Sequence, residues 1–344
     1  MSQWHIYQKT KEPHDKINNL PPPPKWRQFD GEIIEERTLK KDHRAERRLG
    51  GLSRGLTFEP GDMEVEMVNA ALYLRRPLLV TGKPGTGKSS LAFSVAHQLK
   101  LGNVLYWPIT TRATLQDGLY RYDAIGRLQD FQLLRLKWTD QQKELPDIGK
   151  FIRLGPLGTA LLPSKRPRVL LIDEIDKSDI DLPNDLLNIF EEGEFEIPEL
   201  SRLSEENEKV KVFPSDSNER VSIVKGRVRC HEFPFIVLTS NAERELPAPF
   251  LRRCLRLDIA PPTPEKLQKI VDAHFGKQDE NGSKERKLLI ENFLNRREKG
   301  DLATDQLLNA IYLILQGIEF DVDSQDKTSL INIVLRHLNT MGTV

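Results

Sequence analysis

At 344 residues, 38% apolar and 30% charged, the chain is long enough to bury a substantial core and too apolar to be disordered throughout. Lys+Arg and Asp+Glu balance at 51 each. That zero net charge removes the simplest electrostatic case for a dedicated nucleic-acid binder and leaves room only for a local basic patch.

The two cysteines, Cys230 and Cys254, lack the clustered spacing of a zinc site and read as reduced thiols of a cytoplasmic protein. No segment approaches the ~18 consecutive apolar residues of a membrane span, and the first twenty residues lack the apolar core of a signal peptide. Neither export nor membrane integration is expected.

Residues 1–54 read as a Pro-rich and charged arm. PPPPKWR at 21–27 favours extended polyproline II, and TLKKDHRAERRL at 38–49 is a charged helix candidate. The arm is expected to be either a solvated tail or a segment whose Trp4, Tyr7, Trp26 and Phe29 anchor it on another surface, because aromatic rings are costly to leave in water.

From Gly55 the pattern changes to alternating helix and strand. A helix over 62–75 leads to the short apolar run LLV at 78–80, a glycine-rich turn and a helix over 88–99. Further apolar runs follow at 104–107 (VLYW), 169–172 (VLLI), 235–239 (FIVLT) and 255–259 (LRLDI). Such uninterrupted runs suit strands covered on both faces, so the expected architecture over 55–260 is a parallel sheet flanked by helices, an α/β P-loop domain. Beyond PPTP at 261–264 the strand signals stop. Helical patterns at 264–275, 284–298, 304–316 and 327–339 predict a smaller all-helical domain over 261–344.

GKPGTGKS at 82–89 satisfies the phosphate-loop spacing and lies between a strand and a helix, the context its chemistry requires. The phosphate-binding set is Gly82, Lys83, Pro84, Gly85, Thr86, Gly87, Lys88, Ser89 and Ser90. Glycines at 82, 85 and 87 let backbone N–H groups turn inward, and the helix N-terminus adds a favourable dipole. Lys88 can neutralise β and γ oxygens, and the Ser89 hydroxyl can ligate Mg²⁺. VLLIDEID at 169–176 then delivers two carboxylates to the C-terminal edge of a buried strand, where ligands of open α/β sheets bind. Asp173 would hold the metal, directly or through water, and Glu174 would polarise the attacking water.

Phosphoryl transfer depends mainly on positioning and charge stabilisation, so further polar groups are expected. FIVLT runs into Ser240 and Asn241, which places an amide at the tip of a third strand, able to hold the lytic water. LPAPFLRRC at 246–254 puts Arg252 and Arg253 before the next strand. A guanidinium there can complete the charge around a γ-phosphate, in its own chain or a neighbour's, although spacing alone favours a surface ion-pair site.

The ordered set GKPGTGKS, VLLIDEID, LTSN and FLRRC resembles an AAA+ ATPase, and within that class the MoxR-type branch, over about residues 55–320. The resemblance implies a nucleotide-binding domain with a helical lid, assembled as a ring, commonly a hexamer, with ATP and Mg²⁺ at subunit boundaries. It puts Asn241 at the sensor-one position and Arg253, beside Arg252, at the arginine-finger position. It also implies insertions, here 110–132 and about 194–233, as partner-contacting or pore-facing elements. Tyr120 and Tyr122 are their exposed-aromatic candidates unless they pack under their own loop. FEEGEFE at 190–196 reads as an acidic, solvated helix end. One departure stands out: DLATDQLLNAI at 301–311 offers Asp305 or Gln306 where such lids carry a sensor-two arginine.

What the resemblance implies for function is ATP-driven remodelling or assembly of a protein partner, such as one containing a von Willebrand A domain. A nucleotide-controlled switch or scaffold in a defence or signalling system is the alternative. A nucleic-acid motor is disfavoured by the neutral charge. Residues that would tell ATP from GTP are not legible.

Overall fold

The computed structural model describes residues 4–33, 55–135, 146–203, 208–276, 280–297, 302–316 and 334–335. Helix α1 (Asp62–Leu74) precedes strand β1 (Leu78–Thr81), and α2 (Lys88–Gln98) leads to β2 (Leu105–Pro108). Next come α3 (Leu115–Leu119), β3 (Tyr120–Tyr122), α4 (Ala124–Arg135), β4 (Ile152–Leu154), α5 (Pro156–Ala160), β5 (Val169–Asp173) and α6 (Asp181–Glu192). Strands β6 (Glu194–Glu196), β7 (Lys209–Val212), β8 (Val221–Val224) and β9 (Arg227–Arg229), with α7 (Pro198–Ser201), precede β10 (Phe235–Ser240). Helix α8 (Ala248–Arg253) and β11 (Leu255–Asp258) complete the α/β part; α9 (Pro264–Phe275), α10 (Glu280–Arg297) and α11 (Thr304–Leu315) follow.

The five apolar runs form one parallel sheet in the order β11-β1-β10-β5-β2, flanked by helices, as the sequence predicts. Buried clusters lie on its two faces. Val80, Leu91 and Val237 belong to one, and Leu79, Ile172 and Leu186 to the other. Helix α6 shows why it packs there: Leu182, Leu186, Ile189 and Phe190 recur at helical spacing and are all buried. Because every strand of the sheet is parallel, Thr81, Asp173 and Ser240 end at the same edge. At that edge β1 lies between β10 and β11, where the strand order reverses, and clefts form at such points. The C-terminal helices carry their own apolar cluster, including Leu267, Phe293, Leu307 and Ile311.

Residues 4–33 lie against the α/β domain as a strap, in line with the anchored reading of the arm rather than the solvated tail. Tyr7 is fully buried and shares a hydrogen bond with Ser94 Oγ at 2.7 Å, and Asn69 Oδ1 accepts from the backbone N–H of both Ile6 and Tyr7. Trp4 meets Tyr73 edge to face and Phe29 stacks on Phe233, whereas Trp26 is 77% exposed. Three of the four anchor aromatics therefore bind the chain's own surface. The helix candidate at 38–49 lies outside the described residues, as does nearly all of 327–339.

The stretch at 194–233 is likewise built in. Its strands form an antiparallel sheet in the order β6-β9-β8-β7, and Phe195, Val212, Ile223 and Val228 are buried in the main core. FEEGEFE is not one solvated helix end: Gly193, at φ 65°, caps α6 and the chain turns into β6. Tyr120 is also not exposed. It is 4% accessible, stacks on Phe195, and its hydroxyl donates to Glu199 Oε2 at 2.7 Å. Tyr122 is half-buried and accepts from Arg127 at 3.1 Å. Among the described residues no helix is long and apolar enough to cross a membrane.

Candidate functional site

The phosphate loop leaves β1 and enters α2 at the sheet edge described above. Gly85 at φ 73° and Gly87 at φ 89° occupy left-handed backbone conformations that L side chains rarely adopt. A Cβ on Gly85 would also lie 2.5 Å from the Cβ of Ala303, so the loop passes directly under the start of α11. A cleft of about 410 Å³ opens here, lined by Pro84 through Ser90, Asp173, Glu174, Thr239 and Asn241, with Lys266, His274, Thr304 and Asp305 on the helical side. Phe58, Ile270 and Leu308 add an apolar wall.

Within the cleft the sequence-predicted residues converge. Ser89 Oγ donates to Asp173 Oδ1 at 2.7 Å, although 84 positions separate the two. Lys88 is 8% exposed and donates to the carbonyls of Gly82 and Lys83 at 2.7 and 2.9 Å. Burial pushes its pKa below the usual lysine range, opposed by the negative charges of Asp176, Asp173, Glu174 and Asp258. Glu174 sits at φ 61°, a strained position for a residue with a side chain, and its carboxylate is held by Lys177 Nζ at 2.7 Å. Asn241 lines the cleft, its amide donating to Glu243 Oε1 at 3.1 Å.

Four contributors were not picked out by sequence reasoning. Thr239 Oγ1 donates to Asp173 Oδ1 at 2.6 Å and accepts from the Glu174 N–H at 2.9 Å, so one buried hydroxyl orients both acids. Asp176, 3% exposed, accepts through Oδ2 from the N–H groups of Asn241 and Glu243, each at 3.0 Å, tying the β5 end to the β10 end. Tyr106 donates to Asp173 Oδ2 at 3.2 Å, and Lys177 restrains Glu174. Asp176 and Thr239 lie inside the very runs that drew attention, VLLIDEID and FIVLTSN. A polar residue continuing a buried strand was the available signal.

Arg252 and Arg253 do not line the cleft. Arg252 is exposed, and Arg253 donates through Nε to Glu191 Oε1 at 2.7 Å, at the end of α6. On the helical side, Asp305 faces the cleft, whereas Gln306 accepts from the Ala303 N–H at 2.9 Å and donates to the Val334 carbonyl at 3.0 Å.

The donor set suits a magnesium-bound polyphosphate. Mg²⁺ takes few protein ligands and prefers oxygen, and Ser89 and Asp173 place a hydroxyl and a carboxylate oxygen side by side beneath the glycine loop. A family model for an AAA domain, dynein-related subfamily, matches residues 77–254, just over half the chain. The chain belongs to the AAA family. Its AAA domain is therefore a nucleotide-hydrolysing P-loop domain, and the parallel sheet with its loop at the end of β1 is that domain's framework. A comparison with curated proteins found no match.

Proposed function

We propose that the AAA domain binds ATP with Mg²⁺ in this cleft and hydrolyses it where copies of the chain meet in a ring, most simply a hexamer. The observation that carries the reading is the Ser89–Asp173 pair at 2.7 Å, with Glu174 next in the chain and Lys88 drawn in beside the loop. Ser89 and Asp173 would hold the metal, which supplies charge neutralisation at the β and γ oxygens. The P-loop amides and Lys88 bind the polyphosphate, and Glu174, released from Lys177, accepts a proton from the attacking water. Asn241, fixed through its backbone by Asp176, would orient that water. Arg253, outside its own cleft, is assigned to the cleft of the adjacent copy, with Arg252 beside it.

The cycle so powered is read as MoxR-type remodelling or assembly of a protein partner, one carrying a von Willebrand A domain being the partner class the resemblance suggests. The Glu174→Gln variant tests it: ATP binding should persist while turnover falls at least about a hundredfold, and the trapped variant should retain its partner in a pull-down. Turnover at the unmodified rate would rule out Glu174 as the base. A second reading, a nucleotide-controlled switch, is favoured by one observation: Asp305 stands in the cleft where a lid arginine was expected. Biological activity that survives in Glu174→Gln would select the switch.

A further inference from the structure

Beside the β2 edge of the sheet lies a second cleft, of about 440 Å³, which phosphate chemistry does not use. Its charged lining consists of Arg112, Arg121 and Arg153 against the single carboxylate of Asp117, a local excess of two positive charges (three minus one) in a chain of zero net charge. Arg121 and Arg153 sit directly opposite each other in the antiparallel β3–β4 pair. Like charges so placed destabilise a strand pair. Asp117 relieves this little, because it accepts from Arg121 at 3.4 Å with that side chain 78% exposed and already caps α3 through Thr114. Arg153 is steadied by neutral groups, donating to the Pro214 carbonyl at 3.0 Å and lying 5.0 Å over the Phe213 ring. Arg112 is exposed and makes no ion pair or hydrogen bond among the described residues.

We propose that this cleft binds an acidic peptide segment of a partner protein, its carboxylates received by Arg112, Arg121 and Arg153. Guanidinium forks take carboxylates in bidentate fashion, and the like-charge pair that is costly in the free chain becomes favourable when an anion lies between the two groups. The cleft is an open notch walled by Trp107, Pro108 and Pro156, suited to a few residues of extended chain. A nucleic-acid track would call for a longer line of cations along successive phosphates.

The notch also adjoins the nucleotide site. Tyr106 lines it and donates to Asp173 Oδ2 at 3.2 Å, and β2 is paired along β5 up to Pro108 opposite Asp173. An occupant pressing on Tyr106 alters the carboxylate that holds the metal, so peptide binding changes ATP turnover. This consequence rests on the function proposed above, whereas the binding itself does not.

The test measures fluorescence anisotropy of a labelled hexaglutamate peptide with the full chain, without nucleotide, beside hexaglutamine and a single-stranded oligonucleotide. Hexaglutamate should bind, and hexaglutamine should not. The double substitution Arg112→Ala with Arg121→Ala, both at exposed side chains, should weaken binding by about tenfold or more, and added salt should weaken it further. Lys88→Ala should leave peptide binding intact, which separates failure of this site from failure of the nucleotide site. In ATPase assays the peptide should change turnover of the unmodified chain and have no such effect on Tyr106→Phe. Equal binding of the two peptides, undiminished affinity in the double variant, or preference for the oligonucleotide would overturn the proposal.

Discussion

Glu191 and Arg253 form an ion pair at 2.7 Å that closes the end of α6 onto the end of α8. The same carboxylate lies 3.3 Å from Nη1 of Arg27, a 6% exposed strap residue whose guanidinium sits over the rings of Phe29 and Phe233. Arg253 is thus held in its own chain by a group that the N-terminal strap helps to fix. If Arg253 serves a neighbouring copy, Arg253→Ala and Glu174→Gln should each abolish turnover, the former by about a thousandfold. Mixing them should restore part of it, because some mixed boundaries unite an intact Glu174 with an intact Arg253. An ATPase assay of the equimolar mixture checks this, and activity no higher than the sum of the parts would place Arg253 outside the shared site.

Asp176 should matter to stability as well as to chemistry. Its Oδ2 satisfies two backbone N–H groups in the turn after β10, and truncation to Ala leaves both without that acceptor. An orphaned donor costs about 1–3 kcal/mol when fully buried, and with Asn241 half-buried and Glu243 exposed Asp176→Ala should lose about 1 kcal/mol. Asp176→Asn keeps an acceptor oxygen and should lose less. Urea unfolding of the two variants distinguishes them; equal, negligible losses would mean that the turn is held by other contacts.

The sheet and the loop were legible because their signals are local. Continuous apolar runs mark buried parallel strands, and a glycine-rich turn between strand and helix has few other uses. The strap was not legible, since its burial depends on partners far along the chain: Asn69 receives Ile6 and Tyr7, and Arg75 donates to the Pro21 carbonyl at 2.8 Å. Polyproline followed by charge looks the same whether it lies in solvent or on a protein surface. The antiparallel sheet of β6 to β9 was missed for a related reason. Strands of three or four residues such as KVKV and RVR carry too few apolar positions to stand out, although Val210, Val212 and Val228 are buried. In the site, Asp173 and Glu174 were read directly, while Thr239 and Asp176 needed the β5–β10 pairing to show which groups face each other.

Lys88 yields a pH prediction. Burial lowers its pKa in the free chain, and a polyphosphate brought beside the ammonium would favour the charged form and raise it again. In the window between those two values, below the usual lysine range, the complex holds more protons than its separated parts. ATP binding should then take up protons, and affinity should fall as pH rises through that window. Calorimetric titration below the usual lysine range in two buffers of different ionisation enthalpy measures the proton count. Net release would contradict the assignment of Lys88 to the phosphates.

Asp305 gives the sharpest contrast between motor and switch. It lines the nucleotide cleft from the first turn of α11, where its negative charge suits the helix dipole but opposes a bound polyphosphate. Asp305→Arg changes the local charge by two units. At the helix end this costs about 0.3–1 kcal/mol of stability, whereas each unit charge pair 4 Å apart is worth about 1 kcal/mol in water, the setting of the exposed Asp305 side chain, and the substitution replaces one repulsion by one attraction. The binding term therefore outweighs the structural one, and the variant should bind ATP about tenfold more tightly or better, with only a small drop in melting temperature. Asp305→Asn should fall between the two. If turnover rises together with affinity, Asp305 restrains a hydrolytic cycle. If affinity rises while turnover stays flat, the residue tunes a nucleotide-binding switch, and unchanged affinity in both variants would mean that the carboxylate lies too far from the phosphates to act on them.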